Sequence, residues 1–245
     1  MSMPLTSFVD FASAIFAPAH PSGRQPARDT LLASLLPRPT LFQRNQVRWI
    51  AACAWRTQLK SQGLAALKTA KQELDPSLVA EGAAAIVQLI REIYGPKPVG
   101  AITCIPCGHS RRPDCFGKQL AQVAARNMEL PFLQVFADRP CPGASHPRQS
   151  IGLPPLQRIA DPPRSMILID DLATSGRHIE ESMLALRDLG VAVSSLVWIS
   201  GSTSRGTPLP PRPAAQEPRR SPDLAIPSRS PFFRPPFGPK LVWPA

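Results

Sequence analysis

The sequence predicts an α/β domain: a mainly parallel sheet flanked by helices, with helices added before it and a disordered Pro/Arg-rich tail after it. Three observations carry this reading. Short bulky apolar runs at 99–105, 131–136, 166–169 and 191–199 alternate with amphipathic stretches at 75–94, 116–128 and 179–189, the order expected of strands joined by helical crossovers. Residues 166–169 are apolar throughout, as a strand buried on both faces must be, and two acids follow them directly. A polar turn with one glycine then leads into a helical pattern.

The chain has 245 residues, room for one sizeable core with appendages, and its 43% apolar content supports a globular body. Its 31 prolines require much irregular chain. Lys and Arg number 28 against 17 Asp and Glu, a formal charge of +11. Residues 202–245 hold Arg205, Arg212, Arg219, Arg220, Arg229, Arg234 and Lys240 against Glu217 and Asp223, so +5 belongs to the tail and +6 to the rest. A moderately basic body suits a polyanionic small ligand, and it suits weak nucleic-acid contact as well; charge does not separate the two. Five cysteines, Cys53, Cys104, Cys107, Cys115 and Cys141, lack framework spacing and read as reduced thiols of a cytoplasmic protein. No apolar run reaches the roughly 18 residues that a membrane span needs. The apolar patch at 8–17 is interrupted by Asp10 and lacks the basic start of a signal peptide.

Taken in order, residues 1–43 carry prolines at 18, 21, 26, 37 and 39 and read as loosely structured chain packed on the body. From Arg44 to Leu74 the recurrence of Val47, Ile50, Ala51 and Ala54, with Leu64 and Leu67 later, predicts a helix. Arg48, Arg56, Lys60, Lys68 and Lys71 decorate it as a solvated face. Asp75-Pro76 then marks a new helix, with Asp as N-cap and Pro at the first position, running to Tyr94-Gly95-Pro96. Residues 44–95 are therefore N-terminal helices packed on a core at 96–201. A strand at 99–105 leads to a loop in which Gly108 permits close backbone approach to a ligand, and Arg111 and Arg112 offer forked donors to phosphate. Cys104 and Cys107 with His109 resemble part of a metal site, but no second ligand pair stands at zinc spacing, so no metal is assigned to them.

A helix at 116–128 and a strand at 131–136 follow. The proline-rich segment 137–163 is long for a connection inside a compact domain, and connections of that length are commonly active-site lids; Ser145-His146-Pro147-Arg148-Gln149-Ser150 is the candidate, with a plain surface loop as the alternative. After the strand at 166–169 stand Asp170 and Asp171. Ala173, Thr174, Ser175, Gly176, Arg177 and His178 form a turn able to aim N–H groups at an anion, which it passes to the N-terminus of a helix capped by Gly190. A strand at 191–199 completes the core. Beyond Gly201, 12 of 44 residues are proline and the aromatics are isolated, so the tail cannot bury enough apolar surface to order itself.

The stretch Ile167-Leu-Ile-Asp-Asp-Leu-Ala-Thr-Ser-Gly-Arg-His178 resembles the phosphoribosyl pyrophosphate (PRPP) signature of the type I phosphoribosyltransferases. The resemblance implies a phosphoribosyltransferase-like fold in which Asp170 and Asp171 hold the ribose hydroxyls and residues 173–178 wrap the 5′-phosphate. It implies a pyrophosphate loop at Cys107, Gly108, His109, Arg111 and Arg112. It also implies Mg²⁺ brought with PRPP, a nitrogenous base as second substrate, and a homodimer as an allowed assembly. His178 departs from the threonine usual at that place. Thr174 stands where purine-salvage members carry an acid, which argues against 6-oxopurines. Pro106, Gln119 and Leu120-Ala121 are similar to the competence-associated (ComF-like) branch, although residues 115–118 depart from its Arg-Gly-Phe-Asn and no paired Cys-x-x-Cys ribbon precedes the core. The implied activity is transfer of the phosphoribosyl group to a base with release of pyrophosphate. The alternative is a non-catalytic PRPP or nucleotide sensor, or a ComF-like DNA-uptake accessory, built on the same cup.

Overall fold

The computed structural model of the chain describes residues 24–96, 98, 100–108, 114–139, 154–201 and 207–208. All lie in the first of two compact units, Met1–Pro210, the second being Pro211–Ala245. In chain order they form α1 (Arg24–Ala33), β1 (Leu35–Arg44), β2 (Val47–Trp55), a 3-10 turn (Thr57–Leu59), α2 (Lys60–Glu73) and α3 (Pro76–Tyr94). Then come β3 (Ala101–Cys104), α4 (Phe116–Asn127), β4 (Ser165–Ala173), α5 (Arg177–Asp188), β5 (Ala192–Ser200) and the two-residue β6 (Thr207–Pro208).

One sheet holds all six strands in the order β3-β4-β5-β2-β1-β6. The four strands β3, β4, β5 and β2 are mutually parallel, β1 is antiparallel to β2, and β6 is antiparallel to β1. The chain is thus the α/β protein with a mainly parallel sheet that its alternating pattern predicts. Beyond β3 the expected strand at 131–136 is reduced to a bridge, Phe132 beside Ile102, fixed by Ile102 N–H to Pro131 O and Leu133 N–H to Ile102 O, both 2.9 Å.

Alternation along β4 sorts the two faces. Ile167 and Ile169 join the apolar cluster beneath α1, α2, α3 and α4, while Met166 and Leu168 join clusters that contain Ile179, Met183 and Leu186 of α5. Both faces are covered, which is why β4 has no alternating polar positions until its acids. Asp75 caps α3 as its sequence predicts, its carboxylate accepting from Ser77 N at 2.9 Å. α3 lies so close to its neighbours that a Cβ at Gly82 would stand 2.5 Å from Leu120 Cδ1 and 2.8 Å from Trp198 Cδ2.

The region before α3 differs from its expectation. Residues 44–55 are not helical: β2 pairs with β1 through the two-residue turn Asn45–Gln46, Asn45 having a φ of 50°, and α2 begins only at Lys60. Val47, Trp49 and Ala51 are buried on the α5 side of β2 and Ala52, Cys53 and Trp55 on the other, so both tryptophans lie in the core. A helical reading of Val47, Ile50, Ala51 and Ala54 leaves those tryptophans unaccounted for. Residues 24–43, expected to be loose, form α1 and β1, and the β1–β2 register slips between Pro37 and Thr40, where prolines interrupt the ladder. The expected structureless tail contributes Thr207–Pro208 to the sheet beside Thr40 and Leu41.

Candidate functional site

The carboxyl ends of β3, β4, β5 and β2 lie along one edge, since the four strands are parallel, and ligands of such sheets bind at that edge. Register fixes what is level with what. Ala173 sits beside Ser200, and Ile169 beside both Cys104 and Leu196. The acid pair therefore stands between the start of the loop after β3 and the end of β5.

The two acids are not equivalent. β4 continues through both, so successive side chains leave opposite faces of the sheet. Asp171 follows Ile167 and Ile169 to the α2 and α4 side, where it is 8% exposed and its Oδ1 accepts from Lys71 Nζ at 2.7 Å. Gly117 in the first turn of α4 closes over the same carboxylate: a Cβ there would stand 3.4 Å from Oδ2. Burial pulls the Lys71 ammonium down, but Asp171's charge and hydrogen bond, with Asp170 and Cys115 behind them, outweigh it and hold Lys71 above its ordinary value. Asp170 turns its Oδ1 back to accept from the backbone N–H of Asp171 at 2.9 Å. Burial first, and Asp171's negative charge second, push its carboxyl from 3.8 up to about 7, against the opposing pull of Lys71 and of the N–H groups of Asp171 and Leu172. One carboxylate is thus held by an ammonium while its neighbour is poised to take a proton near neutrality.

The turn after the acids is shorter than its sequence implies. Ala173 still belongs to β4, Thr174, Ser175 and Gly176 make the turn, and Arg177 and His178 already open α5. Thr174 and Ser175 are exposed, and Ser175 Oγ accepts from Arg177 N at 3.4 Å at the helix N-terminus, where the macrodipole favours an anion. Gly176 has a φ of 71°, and a Cβ there would overlap the Trp49 indole, so the turn rests on that ring and tolerates no side chain. Gly201 closes the other flank: its N–H donates to Ala173 O at 2.5 Å, and a Cβ would meet Ala173 O and Thr174 Cα at 2.5 Å. The β1–β2 turn adds Arg44 Nε and Asn45 Nδ2, each 2.6 Å from the Glu180 carboxylate in the first turn of α5, and Arg44 Nη1 reaches Ser175 O at 3.3 Å.

Of the residues expected in the loop after β3, Cys107 and Gly108 are described, and His109, Arg111 and Arg112 lie outside the described residues, as does the candidate lid at 145–150. What anchors the loop's first residue is plain. Asp138 Oδ1 accepts from Cys107 N at 2.9 Å, and its Oδ2 accepts from Lys118 Nζ at 3.0 Å, with Gln134 Nε2 at 3.2 Å from Oδ1. Arg139, 5% exposed, donates to both oxygens of Glu181 at 2.7 and 2.8 Å and to Pro154 O at 2.7 Å, while its own N–H bonds Cys107 O at 2.9 Å. The hydrogen bonds from Arg139 foremost hold Glu181 below its usual value against burial, helped by the charges of Arg139, His178 and Arg177. The base of the candidate lid is an antiparallel pairing: Ala137 N–H to Gln157 O at 2.9 Å and Ile159 N–H to Val135 O at 2.8 Å.

Sequence reasoning missed Lys71, Lys118, Asp138 and Arg139. Asp138 left a signal, an acid two residues beyond an apolar run, as Asp170 is placed after its own strand. Lys71 left none, because a lysine on a mixed basic helix looks the same whether it faces water or a carboxylate.

Fold and site together define a parallel-sheet α/β protein that sets an acid pair, an ammonium and a helix N-terminus side by side at the carboxyl edge of its strands. No family model matches this chain, and no curated protein matches it. Solved structures to which it is similar include orotate phosphoribosyltransferase from Aeropyrum pernix, at 14% identity over 72% of this chain and 80% of that one with a TM-score of 0.33. Another is Leishmania donovani UMP synthase, at 14% identity over 78% of this chain with a TM-score of 0.31; this chain covers 34% of that protein's length. At TM-scores this low the likeness carries no argument, and the α/β architecture rests on strand order and register.

Proposed function

We propose that this protein binds PRPP with Mg²⁺ and transfers its phosphoribosyl group to a nitrogenous base, releasing pyrophosphate. One observation supports the reading above the others. The carboxylates of Asp170 and Asp171 are followed, after Leu172 and Ala173, by the turn 174–176 that opens α5, so hydroxyl acceptors and anion donors follow one another at the same strand end. On this reading Asp170 and Asp171 accept from the ribose hydroxyls. Thr174, Ser175 and the first N–H groups of α5 donate to the 5′-phosphate. Cys107 and Gly108 lead the pyrophosphate toward Arg111 and Arg112. Two carboxylates fit a Mg²⁺ that draws most of its ligands from substrate and water, and among the described residues no three His, Cys, Asp or Glu side chains converge to hold a metal by themselves. The ion would neutralise the departing diphosphate. The protein's own contribution is position and charge: acids on the sugar, N–H groups on the phosphate, arginines on the leaving group.

Calorimetry with Mg-PRPP tests the reading. The wild-type chain binds, chelation of Mg²⁺ weakens binding, and Asp170→Asn with Asp171→Asn abolishes it with the circular dichroism spectrum intact. Unchanged binding by the double variant removes the acids from the site. Pyrophosphate release across a panel of bases then identifies the acceptor; binding without release from any of them moves the function to the sensor reading.

A further inference from the structure

Lys71 reaches Asp171 from α2, 100 residues earlier in the chain, and it engages one carboxylate oxygen only. Its Nζ lies 2.7 Å from Oδ1, while Oδ2 has no hydrogen-bond donor among the described residues. Asp171 is buried, but its surroundings do not seal Oδ2 from solvent. Gly117, the second residue of α4, borders that open side: a Cβ there would stand 3.4 Å from Oδ2 and 3.7 Å from Cγ, in contact with the carboxylate. Oδ1 is thus occupied, and Oδ2 stays reachable because residue 117 has no side chain.

The last torsion of an aspartate is broad and roughly two-fold, so a carboxylate without a fixed partner offers either oxygen in many orientations. An ammonium on Oδ1 removes that freedom and sets the carboxylate plane before a ligand arrives. Asp170 is held differently. It is half-buried, its Oδ1 accepts from the N–H of Asp171 at 2.9 Å, and among the described residues no cation pairs with it. The two acids leave opposite faces of β4, so each can accept from a different hydroxyl and each contact can be lost without the other.

We propose that Lys71 and Gly117 determine specificity for the sugar: Lys71 positions the Asp171 carboxylate, and Gly117 keeps Oδ2 open to accept one ribose hydroxyl. The inference rests on the proposed function, which supplies the ligand, a 5-phosphorylated ribose with both ring hydroxyls free. Asp170 takes the other hydroxyl. Lys71 does not touch the sugar; it acts through Asp171. A sugar that lacks the hydroxyl at Asp171 leaves Oδ2 facing the ligand without a donor. Hydrogen bonds to charged acceptors are the ones whose loss discriminates most, so each hydroxyl should be worth about ten- to a hundredfold in affinity.

Calorimetric titrations of the full chain with ribose 5-phosphate and with its 2-deoxy and 3-deoxy analogues test the assignment. Wild type should prefer ribose 5-phosphate to each analogue by about tenfold or more. Lys71→Met should weaken ribose 5-phosphate by about tenfold and leave the analogue without Asp171's hydroxyl at its wild-type affinity. One preference is then erased, and the other, which belongs to Asp170, survives. Gly117→Ala should do the same, although alanine is the better helix former at that place. Lys71→Arg, which keeps a cation for Oδ1, should retain both preferences. Equal weakening of all three sugars by Lys71→Met and Gly117→Ala makes the two residues structural supports and overturns the inference, and so does survival of both preferences. A wild type that binds ribose 5-phosphate no better than its analogues overturns the proposed function and this inference with it; a wild type with both preferences that the variants keep overturns this inference alone.

Discussion

At the scale of single residues, the acid pair divides its labour by proton affinity. Asp170 holds its proton to about 7 in the folded chain against 3.8 ordinarily, so the folded state binds more protons than the unfolded state between those values. Stability from this group is full below about 4 and falls as pH rises through 7. Asp170→Asn removes the buried charge, and its melting curve should exceed that of wild type by about 2 kcal/mol at pH 8, with the gap closing toward pH 4; an equal gap at both pH values contradicts the assignment. The ionised carboxylate accepts from sugar hydroxyls more strongly than the neutral acid and no longer offers a competing O–H donor, so Mg-PRPP affinity should rise with pH between 5 and 7 and then level off, as read by calorimetry. Lys71 acts on the other member. Its ammonium is the charge partner of a carboxylate that is 8% exposed, and Lys71→Met strands that carboxylate. Because the lysine side chain itself is 36% exposed, the expected loss is about 1–2 kcal/mol in urea unfolding, below what a fully buried pair would lose. Adding Asp171→Asn to Lys71→Met should restore most of it, and a strictly additive double variant would show that the two side chains do not act on each other.

At the scale of elements, the turn between β4 and α5 is held from below and from the side. A Cβ at position 176 meets the Trp49 ring and also requires φ of 71° from an L residue. Gly176→Ala should therefore cost about 1–3 kcal/mol of stability, more than an ordinary turn substitution, and should red-shift tryptophan fluorescence as the Trp49 indole is pushed toward solvent. Trp49 lies on β2, and here the sequence and the structure part. The elements α3, β3, α4, β4, α5 and β5 were legible because each shows one period and a recognisable start or stop, such as Asp75-Pro76 or Gly190. The acid pair and the turn were legible because their order along the chain is local. β2 was not, because four of its residues, Val47, Ile50, Ala51 and Ala54, also fit a helical spacing, and only the burial of Trp49 and Trp55, which that spacing leaves out, decides for a strand. Lys71 and Arg139 were not, since each meets its carboxylate across a sequence separation that no local pattern encodes: 100 residues from Lys71 to Asp171, and 42 from Arg139 to Glu181.

At the scale of the whole molecule, those long separations make the N-terminal region part of the core rather than an addition to it. β2 pairs in parallel with β5 from Trp49 to Cys53, covering an edge that would otherwise present unpaired N–H and C=O groups. Its Val47, Trp49 and Ala51 fill the cluster on the α5 side together with Leu168, Val197, Ile179 and Met183, while Ala52, Cys53 and Trp55 join the cluster on the other side. The sheet's carboxyl edge depends on the same region, through Lys71 on Asp171, Trp49 under Gly176, and Arg44 and Asn45 on Glu180. A fragment spanning residues 96–201, the core that sequence reasoning delimits, keeps β3, β4, β5, α4 and α5 but loses each of these contacts. Burying a side chain such as Val47 or Trp49 contributes about 1.5–3 kcal/mol, and a domain's whole margin is about 5–15 kcal/mol, so losing several together exceeds the margin. The fragment should lack dispersed amide proton resonances and a cooperative urea transition, whereas a fragment spanning residues 24–210 should retain both. A folded 96–201 fragment that unfolds cooperatively would return β1, β2, α2 and α3 to the status of appendages and leave the edge contacts without structural consequence.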